Sequence, residues 1–232
     1  MGLVFPFAIL LLPSNRRPFY VRKILSAGFR LMTWWAQRLH VLGTIRVTGL
    51  EHLNASGPSL FVANHPSFYD VILLIGLFPQ ANCVVNRKLM RQPLYGPLIR
   101  MAGYIPNDPH EFSSRVNHLL EKEPVPLIIF PEGTRSKGDL NPFQRGWARF
   151  ALKDHLPVFP LLIQYSCPFL TKGEPWYHSP SPPPQIEIKI YPPQILKDEG
   201  GSAFVPFPQR VRILNRQMEQ FFREQIQRGT CA

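Results

Sequence analysis

Two short apolar runs, each followed at once by a polar motif, constrain the fold of this chain more than any other feature. Residues 59–63 (SLFVA) precede NHPSFYD at 64–70, and residues 126–130 (PLIIF) precede PEGTRS at 131–136. Continuous apolar runs of this length are typical of strands that are buried in a sheet. In α/β proteins, sites are usually built where such strands end. We therefore predict that both motifs lie at the carboxyl ends of buried strands.

Strand-like and helix-like patterns alternate along the middle of the chain. Strands are predicted at 45–49, 59–63, 82–85, 103–106, 126–130, 158–163 and 185–191. Helices are predicted from Pro66 to Leu77 and at 88–102, 111–122, 146–152 and 211–227. Such alternation favours a sheet with helices packed on its faces. We therefore assign residues 43–232 to one α/β domain with a mixed, largely parallel sheet flanked by helices.

Residues 1–42 are predicted to form an N-terminal helical segment that is apolar or amphipathic. Residues 1–12 are almost wholly apolar, but a bilayer span needs about 20 apolar residues, so we expect a membrane-dipping or core-packed lead. In 18–42, apolar residues recur at helical spacing with Arg and Lys among them. That combination is typical of a helix lying on an anionic membrane. A helix packed on the rest of the protein fits the same pattern.

The net charge predicts an anionic partner. Lys and Arg number 26 against 15 Asp and Glu, which gives a formal charge of +11. Nucleic acid, an anionic membrane and a phosphorylated substrate all suit such a surplus. Nucleic acid is disfavoured, because the basic residues are interleaved with Phe, Leu and Trp and no nucleic-acid-binding signature is found. The three cysteines lie far apart without a CxxC pair, so we predict no disulfide, no zinc site and a reducing cytosol.

The first motif contains a histidine and an aspartate that can act as a pair. His65 and Asp70 are separated by four residues, and on one continuous helix they would point about 140° apart. If His65 lies in the loop before the helix, its ring can fold back and donate a hydrogen bond to Asp70. The other ring nitrogen can then take a proton from an alcohol. The spacing alone also fits a capping histidine and a solvated aspartate.

The second motif offers groups that can bind an anion. Its turn follows a buried strand, so backbone N–H groups and Arg135 are predicted at the same edge of the sheet. A guanidinium group can hold a phosphate through two parallel hydrogen bonds. Glu132 can hold either Arg135 or the loop in place, and Lys137 and Arg145 can extend the positive field. A surface turn with a local ion pair is the simpler alternative.

Together, the His-x4-Asp string at 65–70 and FPEGTRS at 130–136 resemble the glycerolipid (lysophospholipid) acyltransferase family. Two further segments are similar to that family's sequence blocks, namely GYIP at 103–106 and VFPL at 158–161. The order and spacing of the four blocks match over about residues 45–195. The resemblance therefore covers most of the chain and implies the α/β fold of that family.

The resemblance implies a membrane-associated enzyme that moves an acyl chain from acyl-CoA or acyl carrier protein to a lipid hydroxyl. His65 would be the general base and Asp70 its partner. The expected acceptor is lysophosphatidic acid (1-acylglycerol-3-phosphate), giving phosphatidic acid, and no bound cofactor is implied. The expected location is the cytoplasmic face of a membrane, such as the bacterial inner membrane, as a peripheral or monotopic protein. The expected substrate-binding residues are Glu132, Gly133, Thr134, Arg135, Lys88 and Arg145.

One stretch departs from the pattern of that family. The second block of glycerol-phosphate enzymes often ends in an arginine that helps to bind the acceptor, whereas this chain has Asn107-Asp108. With KGEPWY at 172–177, this stretch resembles more loosely a bacterial branch that acts on specialised lipids such as aryl-polyene lipids. Two other functions stay open: a thioesterase or lipid hydrolase that uses the His–Asp pair on water, and a non-enzymatic lipid- or nucleic-acid-binding module.

Overall fold

The computed structural model describes residues 13, 16–53, 57–93, 95–108, 111–175, 177–178, 180–193 and 205–230. The chain forms two compact units. The first unit contains the described residues up to Trp35 together with Val71–Ile128, and the second contains Ala36–Asp70 and the described residues from Ile129 onwards. The predicted apolar lead at 1–12 lies outside the described residues. The predicted division into 1–42 and 43–232 stays a prediction.

Helices and strands alternate along the chain, as the sequence patterns indicate. In chain order the elements are α1 (Arg17–Arg38), β1 (Ile45–Thr48), a 3₁₀ helix (Leu50–Leu53), β2 (Leu60–Ala63), α2 (Tyr69–Leu77), β3 (Asn82–Val85), α3 (Arg87–Met90), α4 (Gly96–Met101), β4 (Ile105–Pro106), α5 (Phe112–Lys122), β5 (Leu127–Ile129), α6 (Gly146–Lys153), β6 (Val158–Tyr165), β7 (Ile186–Ile190) and α7 (Phe207–Thr230).

The strands pair mostly in parallel within each unit. In the second unit the order is β1-β7-β6-β2, with β6 and β7 antiparallel and the other pairs parallel. In the first unit β3 pairs in parallel with both β5 and β4. The predicted α/β class, with mixed and mostly parallel β-structure flanked by helices, is confirmed. Because β2 and β6 run parallel, their carboxyl ends lie at the same edge.

The strands that lead to the motifs form because their side chains are apolar on both faces. Every residue of β2 and of β5 is buried, as are Val158 to Ile163 of β6. β7 alternates instead, with three buried isoleucines separated by Glu187 and Lys189. This alternation is typical of a strand with one face toward the core. β2 and most of β6 are thus buried on both faces, and β2 leads directly to the first motif.

One face of α1 packs within the first unit through buried polar groups. Ser26 Oγ donates to the carbonyl of Gly76 (3.1 Å), and Arg22 forms an ion pair with Glu123. Elsewhere on α1, a set of large side chains is exposed, and we call it the apolar stripe: Tyr20, Ile24, Leu31 and Trp35. None of the described helices combines the length and apolarity that crossing a membrane requires. Membrane association of this segment stays a prediction.

Two predicted helices are wrong in detail, and proline accounts for one of them. The stretch 88–102 is not one helix but two, α3 and α4, because Pro93 lacks the N–H that a continuing helix needs. The helix predicted to begin at Pro66 begins at Tyr69 instead. The Tyr69 N–H donates to the hydroxyl of Ser67 (3.1 Å), so the serine side chain satisfies a free N–H at the helix start.

Candidate active site

The loop that follows β2 is fixed to the neighbouring strand by one side chain. Asn64 Nδ2 donates to the carbonyl of Ile163 in β6 (2.9 Å), and the Ile163 N–H donates back to Asn64 Oδ1 (2.7 Å). Asn64 is buried, so both bonds lie out of water. Such a pair of bonds holds the end of β2 in one position. The backbone position from which His65 extends is therefore fixed relative to β6.

His65 and Asp70 form the predicted pair. His65 Nδ1 lies 2.8 Å from Asp70 Oδ2, and the His65 ring stacks on Phe130 with centroids 4.3 Å apart. The Asp70 side chain is fully buried, whereas 15% of the His65 side chain is exposed. With Nδ1–H donating to the carboxylate, Nε2 carries the lone pair. In this arrangement Asp70 sets the tautomer of His65, and the other ring nitrogen can accept a proton from a substrate.

Asp70 accepts two further hydrogen bonds. The Tyr165 hydroxyl donates to Asp70 Oδ1 (2.7 Å), and the Ser67 N–H donates to Oδ2 (2.8 Å). Burial raises the pKa of the Asp70 carboxyl, and the bonds from His65, Tyr165 and Ser67 act in the opposite direction. Burial and the neighbouring Asp70 raise the pKa of Tyr165 well above its usual value, so the phenol keeps its proton and donates.

Sequence reasoning did not assign Tyr165 a role. The signal that was available is its place, since it is the last residue of β6, a buried strand that runs parallel to β2. A polar residue at the carboxyl end of such a strand is a candidate site residue. The role of Asn64 depends likewise on its bonds to Ile163 in β6, which the local pattern around His65 does not predict.

The second motif holds the backbone of His65 on both sides. Glu132 Oε1 accepts the His65 N–H (2.7 Å), and the Ser136 N–H donates to the His65 carbonyl (2.8 Å). The other oxygen of Glu132 accepts the Ser136 hydroxyl (2.6 Å) and the Asn141 N–H (2.9 Å). Glu132 is buried, and both of its carboxylate oxygens accept hydrogen bonds from other residues of the chain. Of the two roles that the sequence allows for Glu132, its contacts support holding the loop.

Arg135 and Gly133 occupy the same turn. Arg135 Nη1 donates to the carbonyls of Leu170 (2.9 Å) and Thr171 (3.1 Å), and the guanidinium carbon lies 5.9 Å from the Phe68 ring centroid. Among the described residues, Nη2 and Nε have no hydrogen-bond partner, so they can bind an anion. Gly133 has φ +69°, and a Cβ there would lie 2.5 Å from the amide nitrogen of Gln144. The positive φ makes glycine the favoured residue at this turn.

The remaining predicted binding residues are exposed cations or polar groups. Thr134 is exposed in the motif turn, and Arg145 is exposed immediately before α6. Lys88 is exposed in α3 of the first unit. Also in the first unit, Asp108, the acid that departs from the family pattern, is buried and forms an ion pair with Arg87. The negative charge at this position is therefore balanced by a neighbouring guanidinium.

Comparison with known proteins shows which protein family the chain resembles. A family model named Acyltransferase matches residues 44–164. The chain is 32% identical over 143 residues to a 1-acyl-sn-glycerol-3-phosphate acyltransferase of Cocos nucifera, covering 58% of this chain and 44% of that protein. It is 31% identical over 165 residues to the chloroplastic 1-acyl-sn-glycerol-3-phosphate acyltransferase BAT2 of Brassica napus, covering 68% and 46%. The matched region thus spans less than half the length of these relatives.

A solved structure has the same fold. The crystal structure of the 1-acyl-sn-glycerophosphate (LPA) acyltransferase PlsC from Thermotoga maritima matches with a TM-score of 0.71. The match covers 98% of this chain and 88% of that one at 22% sequence identity. At this identity the likeness shows the fold alone.

Proposed function

The chain belongs to the acyltransferase family, and we propose that it transfers a fatty acyl group from a thioester donor to the hydroxyl of lysophosphatidic acid. The observation that carries the proposal is the His65–Asp70 pair, in which a buried carboxylate fixes one ring nitrogen and leaves the other with its lone pair. The family, and relatives named as 1-acyl-sn-glycerol-3-phosphate acyltransferases, support the reaction and the acceptor.

In the proposed mechanism His65 acts as a general base. Nε2 takes the proton of the acceptor hydroxyl while the hydroxyl oxygen attacks the thioester carbonyl carbon. Collapse of the intermediate completes the new ester and breaks the C–S bond, and the imidazolium returns the proton to the leaving sulfur. Asp70 stabilises the imidazolium while it exists. The acceptor attacks directly, so no acyl-enzyme forms, and acyl-CoA and acyl carrier protein both meet the chemical need as donors.

We propose that Arg135 binds the acceptor phosphate. Its Nη1 is held by the carbonyls of Leu170 and Thr171, which orients the guanidinium for a second interaction. Gly133 and Thr134 shape the same turn, and Arg145 adds positive charge. Lys88, an exposed residue of the first unit, stays a predicted binding residue. Glu132 contributes by fixing this loop against His65. Asp108, the acid of the second block, is paired with Arg87, so its negative charge is balanced within the first unit.

We also propose that the protein works at a membrane surface, on its cytoplasmic face, as a peripheral or monotopic enzyme. The apolar stripe of α1 supports this, because exposed aliphatic and aromatic side chains beside basic residues suit the boundary between headgroups and acyl chains. Lysophosphatidic acid carries one acyl chain that inserts into the bilayer. An enzyme that binds at the membrane surface therefore meets this substrate there.

An acceptor panel tests the proposal. Purified protein in liposomes would receive radiolabelled acyl-CoA or acyl carrier protein, with lysophosphatidic acid, other lysophospholipids or no acceptor, and His65→Ala in parallel. We expect label in phosphatidic acid that depends on His65. Transfer to other acceptors but not to lysophosphatidic acid would overturn the acceptor assignment and turn attention to specialised lipids. Label released as free fatty acid without an acceptor would contradict transfer and indicate a hydrolase.

A further inference from the structure

A cavity of about 620 Å³ adjoins the candidate base within the second unit. Its lining includes Asn64 and Pro66, which are the chain neighbours of His65. It also includes Tyr165, whose hydroxyl holds Asp70. A molecule in this cavity therefore lies beside the residues that position the proton-accepting pair.

The polar part of the cavity is basic. Lys137 and Lys172 both line it, and Glu174 is the one carboxylate among its described lining residues. Glu174 already accepts the Thr171 N–H (2.8 Å), so its charge is partly engaged by the protein. Two ammonium groups beside an otherwise mostly apolar lining suit a flexible ligand that carries a phosphate.

Outside the cavity, three arginines form a ridge along α7, which we call the arginine ridge: Arg212, Arg216 and Arg223. Their spacing of four and then seven residues places them on one helical face over about 16 Å. All three are exposed. Arg223 pairs with Glu219 (2.9 Å), whereas Arg212 and Arg216 have no carboxylate within ion-pair distance among the described residues.

The arginine ridge meets the rim of the cavity. Arg223 Nη2 donates to the carbonyl of Leu140 (3.1 Å), and Leu140 lines the cavity. Ile226, almost one turn further along α7, lines it as well. A partner bound along the ridge therefore has one end at the cavity that adjoins His65.

We propose that the arginine ridge docks an acidic carrier protein, which delivers the acyl thioester into the cavity on its phosphopantetheine arm. This inference rests on the proposed function and assigns its donor. Arg212 and Arg216 lie about 6 Å apart along α7, so they would pair with two carboxylates about one turn apart on a partner helix. Lys137 and Lys172 would attract the phosphate of the arm.

The composition of the ridge favours a protein partner over a membrane surface. Helices that lie on membranes combine basic residues with a face of Trp, Phe or Leu. On α7, the exposed large apolar side chains among the described residues are Phe207 and Ile213, and Phe207 is the first residue of the helix. Beside the ridge itself, Ile213 is the one exposed large apolar side chain among the described residues, so charge outweighs apolar surface there, which suits a soluble acidic partner.

Charge reversal with a matched control tests the inference. Transfer to lysophosphatidic acid would be measured with a 16-carbon acyl chain on acyl carrier protein and on CoA, for wild type, R212E/R216E and K122E/K153E. The control changes the net charge equally at two exposed positions outside the ridge. We expect R212E/R216E to raise KM for the carrier protein by about tenfold, with KM for acyl-CoA within about twofold of wild type. The control should change neither, and thermal unfolding would verify folding.

Other results would overturn the inference in distinguishable ways. Equal losses with both donors would show that the ridge does not recognise the carrier. Activity of the wild type with acyl-CoA alone would remove the carrier and leave the proposed function standing. Unchanged kinetics, with weakened sedimentation on phosphatidylglycerol vesicles, would assign the ridge to the membrane. Absence of His65-dependent transfer from either donor would overturn the proposed function, and the inference with it.

Discussion

At Asp70, three hydrogen bonds work against the effect of burial. The carboxylate receives an N–H from His65, an O–H from Tyr165 and a backbone N–H from Ser67. Burial disfavours the charged form, and each of these donors favours it. Since the proposed mechanism needs an ionised Asp70 beside the imidazolium, these donors help to decide the pH range in which the pair works.

Replacing Tyr165 with phenylalanine should move the acidic limb of the pH–rate profile to higher pH. Transfer requires ionised Asp70, so activity falls as the pH drops through the pKa of that carboxyl. Loss of the Tyr165 hydrogen bond raises the pKa further, and the fall therefore begins at a higher pH. At the plateau we expect kcat to fall by about tenfold, in line with one hydrogen bond to a charged group.

The control for this measurement is Tyr191→Phe, because the Tyr191 hydroxyl bonds Gln225 (3.1 Å) and does not contact the pair. Its profile should overlay the wild-type profile. Coinciding acidic limbs for wild type and Tyr165→Phe would show that the phenol does not influence the ionisation of Asp70.

Glu132 and Arg135 lie in one motif, but replacing them should change different kinetic parameters, kcat for Glu132 and KM for Arg135. Glu132→Ala removes a buried carboxylate that accepts the His65 N–H, so we expect a loss of about 1–3 kcal/mol in the free energy of unfolding and a lower kcat. Arg135→Gln should raise KM for lysophosphatidic acid by about tenfold or more, with kcat close to the wild-type value and some loss of stability from its two bonds to the carbonyls of Leu170 and Thr171. Steady-state kinetics and thermal unfolding on both variants measure the difference. The same pattern in both variants would contradict this division of roles.

Among the elements, β2 and the loop after it determine where His65 and Asp70 lie relative to each other. β2 is buried along its whole length, and Asn64 ties its end to β6 through two hydrogen bonds. The loop then folds so that His65 precedes α2 while Asp70 lies in its first turn. This placement overcomes the poor orientation that a five-residue separation would give on one helix.

For α1, the prediction concerns the apolar stripe. Leu31 and Trp35 are 57% and 52% exposed, so replacing both with serine should leave the melting temperature almost unchanged. Binding to phosphatidylglycerol vesicles should weaken by about tenfold, because two side chains would no longer insert at the interface. Vesicle sedimentation measures this, with Leu50→Ser (48% exposed, in the 3₁₀ helix) as the control. Equal vesicle binding by wild type and the double variant would contradict membrane docking through α1.

At the scale of the whole molecule, two motifs about sixty residues apart in the chain form one site in the second unit. The second motif holds the backbone of His65, so it positions the proposed base and also carries Arg135, the proposed anion-binding residue. The chain also has 26 Lys and Arg residues against 15 Asp and Glu residues. Much of that charge remains on exposed helices, where it can attract anionic lipids or an acidic partner.

The sequence was sufficient to predict the fold class, most strands and the His65–Asp70 pair. Apolar runs reveal buried strands, and each motif follows such a run directly. Other features depend on contacts between residues far apart in the chain, which local patterns do not encode. Tyr165 reaches Asp70 across 95 positions, and Glu132 reaches the His65 N–H across 67. The break at Pro93 had a local signal, but the basic helical pattern around it obscured the break.

In the proposed mechanism His65 takes the proton of the acceptor hydroxyl. The measurement that tests this role is the rate at which label from the acyl donor enters phosphatidic acid, compared between wild type and His65→Ala at equal folding and equal vesicle binding. We predict a loss in kcat of about 10²–10⁴-fold for the variant, the usual contribution of a general base. A variant that transfers acyl groups at the wild-type rate would contradict the account.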